Sequence, residues 1–439
     1  MVSATGPVGG PPRFDGADAG TAHADWLASA ALREAPVLEA EPSALLVVAA
    51  HPDDEVLGAY GSMLAAARRG AAVTVVVATD GEGSHPGSPT VDPTALARLR
   101  RAEHEASLAG LGARIVRLGL PDGALQERRR ELVAAIAPLV AALPEDGLVV
   151  APWAHDGHPD HEAVGDASAA VARELGRACA WAPIWSWLWG EPGLFDGAAL
   201  RRVPLDDAAR AAKATAIAAH RSQVAPLSPH PADRAVLTPT MLERFAGDEW
   251  LLLAPPAAAT AFDDRYAGEG DPWATRDSWY ERRKRQVVLA ALPEERYRLA
   301  LEVGCGTATL TAALAGRCDG ALGVDASIPA LAEARRTIAG AANAWVEHRA
   351  VEQGLPAAAV DLVVLSEIGS YVEPRVLRGL VEQARDLGAH VVLCHWRGEG
   401  DDLLASADEV HALAVGVPGL RRIVEHRDER FLVDVLVPA

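Results

Sequence analysis

Two α/β domains in tandem, each a doubly wound sheet, are what the sequence predicts. The chain holds 439 residues, too many for one core and enough for two. Short apolar runs at residues 45–50, 73–77 and 147–153, rich in Val, alternate with stretches of helical periodicity. That alternation is the pattern of strands buried in a parallel sheet between layers of helices. A second series of the same kind starts at residue 299, beyond an Ala- and Pro-rich stretch at 254–260. The expected boundaries are a mobile tail at 1–20, a first domain at 21–256, a linker at 257–261 and a second domain at 262–439.

Taken in order, the Gly-, Pro- and Ala-rich tail gives way to a helix at 24–33. The first strand, at 45–50, is followed by a polar loop and a helix at 58–69 that stops at Gly70, a C-cap residue. A second strand occupies 73–77, with its loop at Thr79-Asp-Gly-Glu82. The Gly, Ser and Pro content of 81–93 predicts a flexible connection over the cleft, a candidate lid. Helical periodicity returns at 95–111 and a short strand at 115–118. Further on, 207–220 reads as a helix leading into Arg221-Ser-Gln223, 224–239 as a surface loop, and 242–253 as the closing segment of the domain. Trp185, Trp187 and Trp189 alternate, so a strand would put all three indoles on one side. They would then form either a platform for the apolar face of a sugar, or else a packed sheet face or an interface with another domain or subunit.

Composition sets limits on partners. The formal charge is −19, which repels phosphates and argues against nucleic acid. Half the residues are hydrophobic, enough for two sizeable cores. Cys179, Cys305, Cys318 and Cys394 form no CxxC pair, so neither a disulfide framework nor a Cys-zinc site is expected. No apolar run approaches bilayer length and the first residues lack a secretory pattern. A soluble, cytoplasmic protein with reduced thiols is the expectation.

The chemistry begins just past the first strand. His51 and Asp54 are nitrogen and oxygen donors of the kind zinc prefers. A later strand, at 147–153, runs into Asp156-Gly-His158-Pro-Asp160-His161, which supplies two more histidines. Two His and one Asp around a metal with an open fourth position would be a catalytic rather than a structural zinc site. The motifs AHPDDE, ending at Glu55, and HPDH, ending at His161, occur in that order, each after a strand. Together they resemble the PIG-L/LmbE-like zinc deacetylases, which remove N-acetyl groups from glucosamine derivatives. The resemblance implies His51, Asp54 and His161 as zinc ligands, Asp53 as general base and His158 as the residue that stabilises the oxyanion. It also implies that Arg100 contacts substrate and that Asp122 binds a sugar hydroxyl. The alternatives are a surface ion pair of Arg100 with Glu103 and an ordinary Pro-Asp-Gly turn at Asp122.

In the second domain an apolar strand at 299–303 runs into Gly304-Cys-Gly306 and then a helix. Glycines at alternate positions let the backbone approach a ligand, and the acidic Asp325 lies about twenty residues on, at a second strand end, where it would bond ribose hydroxyls. Glu302, Gly304, Gly306 and Asp325 resemble the cofactor site of a class I S-adenosylmethionine (SAM) methyltransferase, whose fourth strand fits 360–367. Asp271-Pro-Trp273, Ser278-Trp-Tyr-Glu-Arg-Arg-Lys284, Arg317-Cys-Asp319 and Cys394-His-Trp396-Arg resemble the NodS-like N-methyltransferases, from about residue 262 onward. That family methylates the free amine of a de-N-acetylated glucosamine residue. Glu352 and Glu367 are candidates for adenosine and substrate-amine contacts, or else solvated loop acids.

Each half then explains the other. The expected protein deacetylates an amino sugar with zinc and methylates the freed amine with SAM, within Rossmann-type domains. Two alternatives stand beside it: independent activities fused for co-expression, the second possibly on oxygen, or one domain serving as a sugar-binding module. Oligomeric state is left open.

Overall fold

A computed structural model describes residues 18–258, 260–398, 400 and 402–439. The expected tail lies almost wholly outside the described residues. By its internal contacts the chain divides into residues 1–256 and 257–439.

The first unit holds strands β1 (Ala44–Ala49), β2 (Ala72–Val77), β3 (Arg114–Arg117), β4 (Leu148–Pro152), β5 (Ala178–Ala182), β6 (Leu200–Val203) and β7 (Glu249–Leu253). They form one sheet in the order β3-β2-β1-β4-β5-β7-β6. The strands from β3 to β5 are parallel, and β7 runs antiparallel between β5 and β6. Every residue of β1 is buried, and successive side chains serve opposite layers. Leu45 and Val47 pack with Trp26, Met63 and Leu252 on one face, while Leu46 and Val48 pack with Leu132, Ile136 and Val164 on the other. This two-sided burial is why the strand reads as an unbroken apolar run.

The second unit contains β8 (Tyr297–Val303), β9 (Cys318–Asp325), β10 (Ala344–His348), β11 (Leu362–Ser366), β12 (His390–Trp396), β13 (Leu420–Arg427) and β14 (Phe431–Pro438). Its order, β10-β9-β8-β11-β12-β14-β13, repeats that of the first sheet strand for strand. Again the last strand is antiparallel and lies between the two before it. Val364, Val392 and Val433 face one layer, and Val363, Val391 and Leu436 the other.

Several expected elements differ in detail. The helix expected at 24–33 is two short ones, His23–Ala28 and Ala30–Glu34. Ser29 parts them: its backbone is extended and its Oγ accepts the Leu32 N–H, starting a new helix. The helix expected at 58–69 begins at Asp54, breaks at Ala59 and resumes as Tyr60–Arg68. Trp185, Trp187 and Trp189 do not lie on a strand, because Ser186–Trp189 is a single helical turn. Trp187 packs at 5.0 Å edge-on to Trp26 and at 5.1 Å from Phe195, inside the core. The segment 81–93 is pinned at several points: buried Asp233 accepts Ser88 Oγ at 2.5 Å and Thr90 Oγ1 at 2.6 Å, together with Ser228 Oγ. All four cysteines are buried and unbridged. Among the described residues no helix is long and apolar enough to cross a membrane.

Candidate functional site

In the first sheet the strand order reverses between β1 and β4, which opens a crevice at their carboxyl ends. His51 follows β1, and Asp54 opens the helix Asp54–Gly58. Asp54 Oδ2 is fixed by the backbone N–H groups of Ala50, at 2.9 Å, and His51, at 2.8 Å. From across the crevice the helix Pro159–Glu174 presents His161. One donor atom from each of His51, Asp54 and His161 lies within 4.8 Å of the others. His51 Nδ1 is 3.3 Å from His161 Nε2, which is 3.2 Å from Asp54 Oδ1.

The outward nitrogens of both imidazoles are engaged by carboxylates. His161 Nδ1 lies 2.8 Å from Asp156 Oδ2. His51 Nε2 lies 3.0 Å from Asp122 Oδ1 and 3.4 Å from Asp160 Oδ2. In the neutral rings the outward nitrogens therefore carry the protons and the inward ones carry lone pairs, aimed together with Asp54 at one point. Burial lowers the His161 imidazole, but Asp54 and Asp156 outweigh it and hold it at about 9. Lone pairs converging at this spacing, in a cluster that draws positive charge, fit a cation with an open face.

Asp53 stands beside this cluster with a φ of 132°, a strained value for a residue with a side chain. Burial pushes its carboxyl up to about 7, against the pull of Arg100. Arg100 is itself buried and donates to Asp53 Oδ2 at 3.1 Å, Pro52 O at 2.7 Å and Gly81 O at 3.0 Å. A Cβ on Gly81 would lie 1.9 Å from that guanidinium, so only glycine permits the approach. Arg100 thus forms no surface pair with Glu103, whose carboxylate accepts Ser222 N–H and Oγ–H. His158 accepts the Asp160 N–H on Nδ1, at 3.2 Å, which leaves Nε2 as its N–H donor. Burial, with His161 and His51 nearby, brings His158 down to about 3, so it is neutral at physiological pH.

A cavity of about 210 Å³ opens here, bounded by His51, Asp53, Asp54 and His158 and by the apolar Leu57, Ile184, Trp185 and Leu237. Arg100 and Asp122 do not line it; they stand behind Asp53 and His51 respectively. Val236 and Leu237, near the end of the segment expected as a surface loop, turn inward and line the cavity. Asp156 and Asp160 escaped the sequence reading of roles, although both lie in the hexapeptide that carries His158 and His161. Asp156 is fully buried and also accepts the N–H groups of Ile184, Trp185 and Ser186 at 2.9–3.0 Å.

The second sheet reverses at β8 and β11, and the remaining expected residues sit at that end. Gly304 and Gly306 have φ of 72° and 51°, and a Cβ on them would strike Ile368 and the Tyr266 hydroxyl. Asp325, at the end of β9, accepts Gly306 N–H and Ser327 N–H, both at 2.8 Å. Glu302 is buried and accepts Thr311 Oγ1–H, and burial raises its carboxyl to about 7. Glu367, with φ of 66°, accepts Lys284 Nζ at 2.5 Å and Trp396 N–H at 2.9 Å. Glu352 lies exposed in a 3₁₀ turn, Val351–Gln353, and makes no contact with this group.

Residues 46–172 match the family described as GlcNAc-PI de-N-acetylase, PIG-L, and residues 300–388 match a methyltransferase domain. The 1D-myo-inositol 2-acetamido-2-deoxy-alpha-D-glucopyranoside deacetylase of Kineococcus radiotolerans is 31% identical over 159 residues, 29% of this chain and 44% of that one. The chain thus spans less than half the length of this curated relative. Among solved structures, the N,N'-diacetylchitobiose deacetylase of Pyrococcus horikoshii is 21% identical, covering 51% of this chain and 89% of its own, with a TM-score of 0.36. The N-methyltransferase NodS of Bradyrhizobium japonicum is 19% identical, covering 40% and 95%, with a TM-score of 0.36. The chain therefore carries a PIG-L-type domain followed by a methyltransferase-type domain in one polypeptide.

Proposed function

We propose that the protein removes the N-acetyl group from an amino sugar or its conjugate and then methylates the freed amine. The observation that carries this reading is the convergence of His51, Asp54 and His161 beside the Asp53 carboxyl and an open cavity. The Kineococcus relative is named for deacetylation of a glucosamine derivative, which supports an amino-sugar substrate.

His51, Asp54 and His161 are the residues that would hold zinc, which supplies Lewis acidity toward the amide carbonyl and acidity to the attacking water. Asp53 takes the proton from that water, since a carboxyl raised to about 7 is basic enough to accept it while a substantial fraction is ionised at neutrality. Arg100 orients the Asp53 carboxylate from behind, and Asp122 and Asp160 orient His51. The Nε2–H of His158 donates to the carbonyl oxygen as negative charge develops there. Trp185 and Leu237 offer apolar surface to a sugar ring.

In the second domain SAM supplies an electrophilic methyl group. Each Asp325 oxygen accepts one backbone N–H and keeps a lone pair for a ribose hydroxyl. Gly304 and Gly306 hold the left-handed backbone of the loop that would take the cofactor, packed closely under Ile368 and the Tyr266 hydroxyl. Glu302, at the end of β8, steadies the loop through Thr311. Glu367 borders the amine acceptor, and Glu352 stands as the outermost candidate for the adenosine. A sugar amine is partly neutral near pH 7, so positioning accounts for more than a strong base would.

Mass spectrometry of N-acetylglucosamine and its oligomers, incubated with protein, zinc and SAM, tests the whole reading. Loss of acetyl and gain of methyl on the same molecule is the expected result. Methylation of a molecule that keeps its acetyl group on the same nitrogen would overturn it.

A further inference from the structure

The methyltransferase domain contains a buried chain of hydrogen bonds that none of the steps above uses. It begins at the turn Ile368–Tyr371, just beyond β11. The Gly369 N–H donates to His395 Nε2 at 3.0 Å. His395 Nδ1 lies 3.2 Å from His411 Nε2, and His411 Nδ1 lies 2.9 Å from Asp434 Oδ2. His395 is on β12, His411 on the helix Ala407–Val415 and Asp434 on β14, so three elements are joined. All three residues are at most 3% exposed.

The direction of every bond follows from its ends. A backbone N–H can only donate, so His395 Nε2 carries the lone pair and Nδ1 the proton. A carboxylate accepts, so His411 holds its proton on Nδ1 and receives the His395 proton on Nε2. Asp434 thus selects one tautomer of His411, and His411 selects one tautomer of His395. In the other tautomer His395 would turn an N–H against the Gly369 N–H, leaving two buried donors face to face.

What the relay holds is the floor of the proposed site. Glu367 stands at the entry of the turn with a left-handed backbone, and Ile368 lies against Gly304, where a Cβ would come within 2.9 Å. A Cβ on Gly369 would lie 2.7 Å from His395 Nε2, so the turn is seated directly on the imidazole. Tyr371 closes it against Phe262 at 5.4 Å.

We propose that His395, His411 and Asp434 are positioning residues for methyl transfer: through the Gly369 N–H they hold Ile368 against the glycine loop and Glu367 beside the acceptor. This rests on the reading of the second domain as a SAM-binding methyltransferase. Calorimetric titration of the full chain with S-adenosylhomocysteine tests it. His395→Leu should weaken binding about tenfold, the factor associated with one buried hydrogen bond and a displaced turn. His395→Gln, whose Oε1 can take the place of Nε2, should restore binding to within about twofold of wild type. His411→Leu leaves His395 in place but frees its tautomer, and should fall between them. If His395→Leu is poorly folded, the contrast between His395→Gln and His411→Leu decides the matter. Wild-type affinity in a folded His395→Leu or His411→Leu protein, or equal losses in the Leu and Gln variants of His395, would overturn the positioning role. A wild-type chain that does not bind S-adenosylhomocysteine would overturn the methyltransferase reading itself, and the relay's role with it.

Discussion

Asp156 Oδ2 lies 2.8 Å from His161 Nδ1 while its other oxygen accepts the N–H groups of Ile184 and Ser186. One buried carboxylate therefore orients a candidate metal ligand and also fixes the turn that delivers Trp185 to the cavity. Asp156→Asn should lower zinc affinity by about ten- to a hundredfold, as loss of a carboxylate partner behind a ligating histidine does. Competition with a chromophoric chelator measures this directly. Unchanged affinity would show that His161 is not a ligand.

Asp53→Asn removes the base but keeps the ligand set. Deacetylation should fall by about a hundred- to ten-thousandfold with zinc content unaltered. Metal analysis of the purified variant separates the two effects. An empty site would make Asp53 a ligand.

Asp325→Ala should weaken SAM binding by about 1–3 kcal/mol, the range for charge-assisted hydrogen bonds to the ribose. The two units have separate cores, so deacetylation by the same variant should be untouched. Calorimetry for the cofactor and an acetate-release assay for the first domain give the two readouts.

The order of the reactions is also testable. An amide nitrogen delocalises its lone pair into the carbonyl and is a very poor nucleophile toward a sulfonium methyl. Asp53→Asn given an N-acetylated sugar and SAM should yield no methylated product, whereas the free amine should be methylated at the wild-type rate. Methylation of the acetylated sugar would place the target on another atom.

The tryptophans separate packing from binding. Trp187 is 4% exposed among Trp26 and Phe195, so Trp187→Ala should cost about 3–5 kcal/mol in urea unfolding. Trp185 lines the cavity and is only half-buried against the core, so Trp185→Ala should raise KM for the sugar and cost less stability than Trp187→Ala. A shift in stability alone for both would remove Trp185 from the substrate site.

The strands and the motif histidines were legible because their signals are local. A run buried on both faces must be apolar throughout; His51 and Asp54 sit within five residues of such a run and His161 within nine. The turn at Ser186 was not legible: the carboxylate that accepts its N–H groups is Asp156, thirty residues earlier. Alternating tryptophans carry the period of a strand whatever the backbone does, and only that distant acceptor decides. The alternative of a surface pair between Arg100 and Glu103 is not what the fold builds. The neighbours of Arg100, Pro52 and Gly81, offer backbone carbonyls, which leave no mark in a sequence. The lid expected at 81–93 has the composition of a mobile loop, yet Asp233, more than a hundred residues away, holds it.

In each sheet the strand made last, β7 or β14, occupies an interior place between two strands made earlier. In the second sheet the penultimate strand, β13, pairs only with β14 and has no strand to join until that final one emerges, whereas β6 of the first sheet also bridges Val37 through Arg202. Completion of the second sheet is thus withheld until β14 has been made. A ribosome that stalls after β13 would release a half-built sheet with an open edge at β12, not a trimmed but serviceable domain.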